Sequence, residues 1–212
     1  QQIAALETSD FAALNSAQIA ALTTTQIRSL TTNQVAALTT GQAAALTTAQ
    51  LTALSATQLQ AVETADFAAL TTGQISVLTT GQISSLTTNQ VVAFNTAQMG
   101  KLSSAQLAAL TTQQIAAIET ADLLALSSSQ ITNLSSAQIA ALTSMQVSKL
   151  STGQLSSLST AAITAMDTED IAAMSTAQIS SLTTTQVKAL TTKQVLAMTT
   201  AQTAALSTDR KS

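Results

Sequence analysis

The sequence contains no cysteine, proline, histidine, tryptophan or tyrosine, and only three phenylalanines. Without cysteine the chain forms no disulfide, and its stability does not depend on an oxidising compartment. Without histidine and cysteine it lacks the side chains that most often act in acid–base and thiol catalysis. Charged residues make up 8% of the chain, and its seven lysines and arginines are scattered. A basic stripe for nucleic acid is therefore missing.

Binding motifs are equally scarce. The sequence holds none of the common short motifs for dinucleotides, phosphates or metal ions, and no apolar run of about 18 residues that would span a bilayer. We therefore expect no enzyme activity, no cofactor, no nucleic-acid partner and no membrane insertion. Disorder is not expected either, because apolar residues make up 46% of the chain and recur at fixed positions.

What the sequence does contain is an eight-residue repeat. From Glu7 to Leu206 the chain reads as 25 octads without insertion or deletion. Position 1 is Thr, Ser, Asn, Glu or Asp, and position 2 is nearly always Thr or Ser. Position 4 is Gln in 20 octads and Asp in four, with Ala162 as the exception. Positions 5 and 8 are mostly Ile, Val or Leu, and positions 6 and 7 are mostly Ala or Ser.

This pattern predicts the start of a helix in every octad. Thr or Ser followed three residues later by Gln is a capping box, in which each side chain satisfies a backbone N–H at the helix N-terminus. One long helix is excluded, because eight residues at about 100° each overshoot two turns and the apolar stripe would circle the helix. A strand is excluded, because positions 5 and 8 would face opposite sides.

The predicted fold is therefore all-α: an α-solenoid, or superhelix, of very short capped helices of about six or seven residues, one per octad. Positions 5 and 8 should fill the core and position 3 should face water. We expect residues 1–206 to form a single continuous solenoid and residues 207–212 to form a C-terminal end segment. Because the chain begins inside a repeat, we interpret it as a piece of a longer array.

The acidic residues are not evenly distributed along the repeats. Nine of the ten fall in four octads that begin at residues 7, 63, 119 and 167. They are Glu7, Asp10, Glu63, Asp66, Glu119, Asp122, Asp167, Glu169 and Asp170. One interpretation is that these carboxylates replace Thr and Gln one for one in the capping box, where they complement the helix dipole.

A second interpretation is that the acidic octads line one face of the superhelix. Their spacing would then correspond to about 3.3 or about 2.2 octads per turn. Such a row could contact another copy of the chain or collect Ca²⁺ between copies. Each acidic pair alone has too few ligands for a strong Ca²⁺ site. We expect no metal site elsewhere in the sequence.

Words such as TTGQISSL, Thr79 to Leu86, resemble the Ala/Thr/Gln-rich octapeptide repeats of large bacterial surface, adhesin-type or extracellular filament proteins. This resemblance extends over the whole chain, from Gln1 to about Thr208. It implies a non-enzymatic, extracellular or cell-surface structural role as a segment or subunit of a filament, sheath or adhesin stalk. The partners would be other copies of the chain, in end-to-end or lateral assembly, or the flanking repeats of a longer chain.

Two other functions are compatible with the sequence. A solenoid can act as a protein-binding scaffold, although aromatic and arginine residues, which dominate binding hot spots, are nearly absent here. An ice-binding surface is a further alternative, because Thr recurs at a fixed spacing on a scaffold of low charge. The Thr hydroxyls at position 1 are, however, already assigned to capping.

Overall fold

The structure, a computed structural model, describes residues 3–209, and for residues 207–209 it describes the backbone alone. A short 3₁₀ turn, Ile3–Ala5, is followed by 25 α-helices, and no residue between 3 and 209 lies in a β-strand. The chain divides into two compact units, residues 1–110 and 111–212.

Unit 1 contains the first thirteen helices, one per octad. They are α1 (Thr8–Ala12), α2 (Ser16–Ala20), α3 (Thr24–Ser29), α4 (Thr32–Ala36), α5 (Thr40–Ala45), α6 (Thr48–Ala53), α7 (Ala56–Gln60), α8 (Thr64–Ala68), α9 (Thr72–Ser76), α10 (Thr80–Ser85), α11 (Thr88–Val92), α12 (Thr96–Met99) and α13 (Ser104–Ala109).

Unit 2 contains the remaining twelve helices. They are α14 (Thr112–Ala117), α15 (Thr120–Leu124), α16 (Ser128–Ile131), α17 (Ser136–Ala140), α18 (Ser144–Lys149), α19 (Thr152–Ser157), α20 (Thr160–Ala165), α21 (Thr168–Ala173), α22 (Thr176–Ser180), α23 (Thr184–Ala189), α24 (Thr192–Ala197) and α25 (Thr200–Asp209).

The prediction of one short helix per octad is confirmed. In the octad that begins at Thr79, the cap residue has extended backbone, with φ −69° and ψ 158°. The N–H of Ile83 then donates to the Thr79 carbonyl at 2.9 Å, and the N–H of Leu86 donates to the Ile83 carbonyl at 3.2 Å. Leu86 is extended again, with ψ 143°, and leads directly into the next cap.

Most helices are four to six residues long, slightly shorter than predicted. The reason is that position 7 or 8 already acts as the C-cap, and position 6 does so in the two helices of four residues. No described residue has a positive φ, so the helices end without the left-handed residue that usually requires glycine. The last helix, Thr200–Asp209, has ten residues and continues past Leu206 into the segment for which a separate C-terminal end was predicted.

Within each unit, a helix packs mainly against the helix three octads away. In unit 1, α2 packs on α5 and α10 packs on α13; in unit 2, α17 packs on α20 and α18 packs on α21. Hydrogen bonds described below join octads that are four apart. One superhelical turn therefore contains between three and four octads. This agrees with the predicted value of about 3.3 and excludes the alternative of about 2.2.

The core is built from positions 5 and 8, as predicted. Position 5 side chains from Phe11 to Ile179 are at most 1% exposed, and position 8 side chains from Leu30 to Leu182 are at most 6% exposed. Position 3 is exposed in every octad from Ser9 to Ala201, which confirms its predicted place in water. Because a helix of five residues is unstable alone, this burial between turns is what holds it in place.

Candidate functional site

The capping box is present in most octads. In the octad of Thr79, the backbone N–H of Gln82 donates to Thr79 Oγ1 at 3.2 Å, and the backbone N–H of Thr79 donates to Gln82 Oε1 at 2.9 Å. Ser and Asn at position 1 form the same pair of bonds, for example Ser103 with Gln106 and Asn15 with Gln18. This part of the sequence prediction is confirmed.

The same glutamines make a second set of bonds that connects successive turns. Gln82 Nε2 donates to the carbonyl oxygens of Leu51 at 2.8 Å and Leu54 at 3.0 Å, four octads earlier. We call this arrangement, from a position 4 glutamine to the position 5 and position 8 carbonyls of the fourth preceding octad, the glutamine bridge. It is formed by Gln34, Gln50, Gln58, Gln74, Gln82, Gln90 and Gln106 in unit 1. In unit 2 it is formed by Gln146, Gln154, Gln178, Gln186, Gln194 and Gln202.

The short helices explain why the bridge is needed. The first four N–H groups and the last four C=O groups of a helix have no partner within it, and in a helix of five residues these are nearly all the groups there are. The capping box satisfies two N–H groups at the start of most helices. The bridge satisfies carbonyl groups at the end of the helix four octads earlier. Gln82 is 5% exposed and Gln90 is 1% exposed, so the bridge is dry, and breaking it would leave buried carbonyls without a donor.

Only glutamine among the polar side chains can make all these bonds from position 4. It offers one acceptor oxygen for the cap N–H and a two-donor amide for the two carbonyls. Glutamate would serve equally well in a capping box but has no donor when ionised. The sequence pattern predicts the capping box of glutamine but not the bridge. One feature of the sequence does indicate the bridge: Glu would suit a capping box equally well, yet no octad has Glu at position 4.

The acidic octads depart from the pattern at the cap. Glu7, Glu63 and Glu119 occupy the N-cap position of their helices but make no side-chain capping hydrogen bond. The prediction that these carboxylates replace the cap hydroxyl one for one is therefore wrong for the three glutamates. A Glu side chain is one methylene longer than Asp, and its carboxylate does not fold back onto the N–H three residues later.

In two of the four acidic octads, the position 4 aspartate makes a different contact in place of the bridge. Asp66 accepts a hydrogen bond from Thr40 Oγ1 at 2.8 Å, and Asp170 accepts one from Ser144 Oγ at 2.9 Å. Both hydroxyls lie three octads earlier rather than four. The shorter Asp side chain thus connects to the nearer turn, and it is 7% exposed at Asp66 and 2% at Asp170.

The octad that begins at Asp167 contains two carboxyl groups, Glu169 and Asp170, whose pKa values are shifted from their ordinary values. Asp170 Oδ2 accepts the backbone N–H of Asp167 at 3.0 Å. Burial raises the pKa of Asp170 above its ordinary value, and the hydrogen bonds from Ser144 and Asp167 oppose this effect only in part. The pKa of the neighbouring exposed Glu169 is lowered, chiefly by a hydrogen bond from its own backbone and also by the Thr168 hydroxyl.

The candidate acidic residues do not converge on one site. Glu7, Asp10, Glu63, Glu119, Asp167 and Glu169 are exposed, while Asp66, Asp122 and Asp170 are buried. Among residues 3–209, no three side chains of the metal-ligating types come close enough to hold an ion. The possibility that acidic octads of different copies contact one another or share Ca²⁺ stays a prediction.

One open groove in unit 2 offers a further place for a ligand. It lies between α21 and α24 and is lined by Asp167, Thr168, Thr192 and Lys193, among others. The charged side chains of this groove are one carboxylate, Asp167, and one ammonium group, Lys193. In the described part of the chain, no helix has the length and hydropathy to cross a bilayer.

The comparisons with known proteins identify a repeat. A model of the ALTTAQ repeat matches residues 3–40, 59–96, 115–152 and 147–184, which together make up more than half of the chain. No curated protein matches. The first three matches begin 56 residues apart, which is also the spacing of the acidic octads at Glu7, Glu63 and Glu119. The first three matches and the first three acidic octads thus share a period of seven octads, which the fourth match and the acidic octad at Asp167 do not follow.

Proposed function

Because the chain belongs to the ALTTAQ repeat family, we propose that it is a non-enzymatic structural protein that builds length by stacking octads. In this proposal it is a segment or subunit of an extracellular bacterial filament, sheath or adhesin stalk. The extracellular and bacterial parts of the proposal are supported by the resemblance of its octad words. The structural part is supported by the glutamine bridge.

The bridge favours a length-building role because the same geometry recurs in both units. Gln50 bonds to Ile19 and Leu22, and Gln202 bonds to Ile171 and Met174, with the same donor atom and the same separations of 31 and 28 residues. Any octad with this pattern can therefore follow any other. A chain of this kind can be extended by duplication without a new interface.

The outer surface also favours a structural role over recognition. The exposed position 3 residues are mostly Ala, Gly, Asn, Thr and Ser, which offer little contact area to a partner. Binding hot spots are usually built from Trp, Tyr and Arg, and the chain has no Trp and no Tyr.

The proposal can be tested by changing the number of octads. We would compare the natural chain with a variant in which residues 63–118 are duplicated in phase, and measure particle length by electron microscopy and small-angle scattering. We expect an added length proportional to the seven added octads, with no loss of thermal stability. A control duplicates residues 63–114, which breaks the octad phase, and should unfold locally. A compact particle whose length does not change on in-phase duplication would contradict the proposal.

The second candidate function is a protein-binding scaffold. The observation in its favour is that Met145 is 69% exposed and Leu124 is 46% exposed, on helices α18 and α15, which pack together. Pull-down of one defined partner by the natural chain, but not by a variant with Met145→Ser and Leu124→Ser, would favour this function over a purely structural one.

A further inference from the structure

The series of glutamine bridges in unit 2 is interrupted at two consecutive octads. Position 4 is Ala162 in the octad of α20 and Asp170 in the octad of α21. Alanine has no donor, and both carboxylate oxygens of Asp170 already accept hydrogen bonds, from Ser144 and Asp167. The octads of α16 and α17, four places earlier, therefore receive no bridge. We call the contact of these two octads with the octads of α20 and α21 the unbridged seam.

Intact bridges lie on both sides of the seam. Gln154, in the octad before it, donates to the Leu126 carbonyl at 2.8 Å, and Gln178, in the octad after it, donates to the Leu150 carbonyl at 2.8 Å. Because one turn contains between three and four octads, the seam extends over half of a turn or more. One side of this turn is thus joined to the preceding turn by bridges, and the other side is not.

Apolar packing is what closes the seam. α17 packs on α20, and α18 packs on α21. The hydroxyl that bonds to Asp170 belongs to α18 and therefore does not cross the seam. Position 8 of the two octads is Met166 and Met174, each 3% exposed. Methionine fills a core without fixing one geometry, and apolar contact is non-directional, so the seam tolerates a change of angle that a pair of hydrogen bonds would resist.

The missing glutamine does not disturb the helix that lacks it. Ser159 Oγ accepts the backbone N–H of Ala162 at 3.1 Å, and the N–H of Ile163 donates to the Ser159 carbonyl at 3.1 Å. Helix α20 therefore starts with the usual cap hydroxyl. What is lost at the seam is the connection between turns, and the short helices on both sides of it remain formed.

We propose that the unbridged seam is a hinge, at which the superhelix of unit 2 bends by opening on one side while the bridges of Gln154 and Gln178 stay closed. The inference rests on the structural role proposed above, and it gives that role a built-in point of bending. Local opening takes place where the fewest interactions have to be broken. In unit 1 the aspartate at Asp66 interrupts a single octad, with bridges from Gln58 and Gln74 on both sides.

The experiment measures the distance across the seam with pairs of nitroxide spin labels. The chain has no cysteine, so two introduced cysteines are labelled without competition. Ser129→Cys with Ala161→Cys places labels on α16 and α20, across the seam. Met145→Cys with Ala177→Cys places labels on α18 and α22, which the Gln178 bridge joins. All four residues are exposed at position 3. Dipolar electron paramagnetic resonance gives the distance distribution of each pair, and circular dichroism checks the fold.

We expect the distribution of the seam pair to be about twice as wide as that of the bridged pair. Ala162→Gln with Asp170→Gln supplies both missing amides and should narrow the seam pair to the width of the bridged pair. Ala137→Gln with Glu169→Gln makes the same two changes of residue type at exposed position 3 residues of α17 and α21. This matched control should leave the seam pair wide.

A second variant tests the inference in the opposite direction and does not depend on the folding of the repaired chain. Gln178→Ala places at position 4 of α22 the residue that α20 has naturally, and it should widen the bridged pair. Equal widths of the two pairs in the natural chain would overturn the hinge, as would a bridged pair that stays narrow in Gln178→Ala or a seam pair that narrows in the matched control. Each of these results leaves the length-building role intact, since that role is contradicted only by a particle whose length does not change on octad duplication.

Discussion

Gln50 Nε2 lies 2.7 Å from the carbonyl oxygen of Leu22, although 28 residues separate the two along the chain. The oxygen of the same amide accepts the backbone N–H of Thr47 at 2.8 Å. One side chain thus starts its own helix and closes the end of another helix one turn of the superhelix away. The glutamine bridge therefore couples local capping to long-range packing, and this coupling makes the octad the unit of the fold.

Loss of a bridge donor in the interior should be costly. Gln82→Glu keeps an acceptor for the cap N–H but removes both donors and places a charge against two buried carbonyls, so we expect a loss of about 3–5 kcal/mol in the free energy of unfolding. Gln18→Glu makes the same change at an exposed residue whose amide has no carbonyl partner among residues 3–209, and should cost under about 0.5 kcal/mol. Chemical denaturation measures both. Equal losses would show that the bridge does not contribute to stability.

A position 1 side chain should contribute to the free energy of unfolding only where it accepts a capping hydrogen bond. Thr71 Oγ1 accepts the backbone N–H of Gln74 at 3.2 Å, so Thr71→Ala should lower the free energy of unfolding by about 1 kcal/mol. Glu63 makes no side-chain capping bond, and Glu63→Ala should therefore cost only a few tenths of a kcal/mol, through the helix dipole. Thermal unfolding of the two variants tests this order, and a larger loss for Glu63→Ala would refute it.

The buried Asp170 should make stability depend on pH. Because burial raises its folded-state pKa, the ionised form is disfavoured in the fold, and the chain gains stability as pH falls through the raised pKa until it is below the unfolded-state value. Asp170→Gln places an amide 31 and 28 residues after Ile139 and Leu142, where it can form a bridge. We expect this variant to be more stable than the natural chain by about 1–2 kcal/mol at neutral pH.

The advantage of Asp170→Gln should shrink as the pH falls through the raised pKa. Asp10 is an exposed position 4 residue, and Asp10→Gln serves as the control, with little change expected across the same pH range. Urea denaturation at a series of pH values gives both curves. An advantage for Asp170→Gln that grows on acidification has the opposite sign and would contradict the assignment.

The aromatic pair in unit 1 should contribute strongly to the stability of the core. Phe67 and Phe94 lie three octads apart with ring centroids 5.4 Å from each other and planes at 83°, and Phe67 is fully buried. Phe67→Ala should cost about 3–5 kcal/mol, because a cavity replaces the ring. Leu196 is 80% exposed, and Leu196→Ala should change stability by under about 0.5 kcal/mol. A small effect at Phe67 would mean that this turn is not packed as described.

Features contained within one octad could be predicted from the sequence. The capping box of Thr79 and Gln82, the buried Ile83 and Leu86 and the exposed Gly81 all follow from spacings of a few residues. The partner of the Gln82 amide could not be predicted, because Leu51 and Leu54 are 31 and 28 residues away. That contact depends on the number of octads per turn, which no local pattern contains.

The acidic octads show a second limit of the sequence. Their pattern at position 1 and position 4 is that of an acidic capping box, and it predicted a one-for-one replacement. Side-chain length decides otherwise: Glu63 does not reach back to its helix, and Asp66 reaches Thr40 in the turn three octads before. The residue types alone do not show whether a carboxylate caps its own helix or bonds to a neighbouring turn.

The most direct measurement of the central claim is the hydrogen exchange of the glutamine side-chain amides, followed by NMR. If Gln82 and Gln90 donate from dry positions to carbonyls in the preceding turn, their Nε2 protons should exchange far more slowly than those of Gln18. Gln18 caps its helix in the same way, but the described part of the chain offers its amide no carbonyl partner. Equal and fast exchange of all three amides would mean that glutamine only caps its own helix, and that the turns are not joined by the bridge.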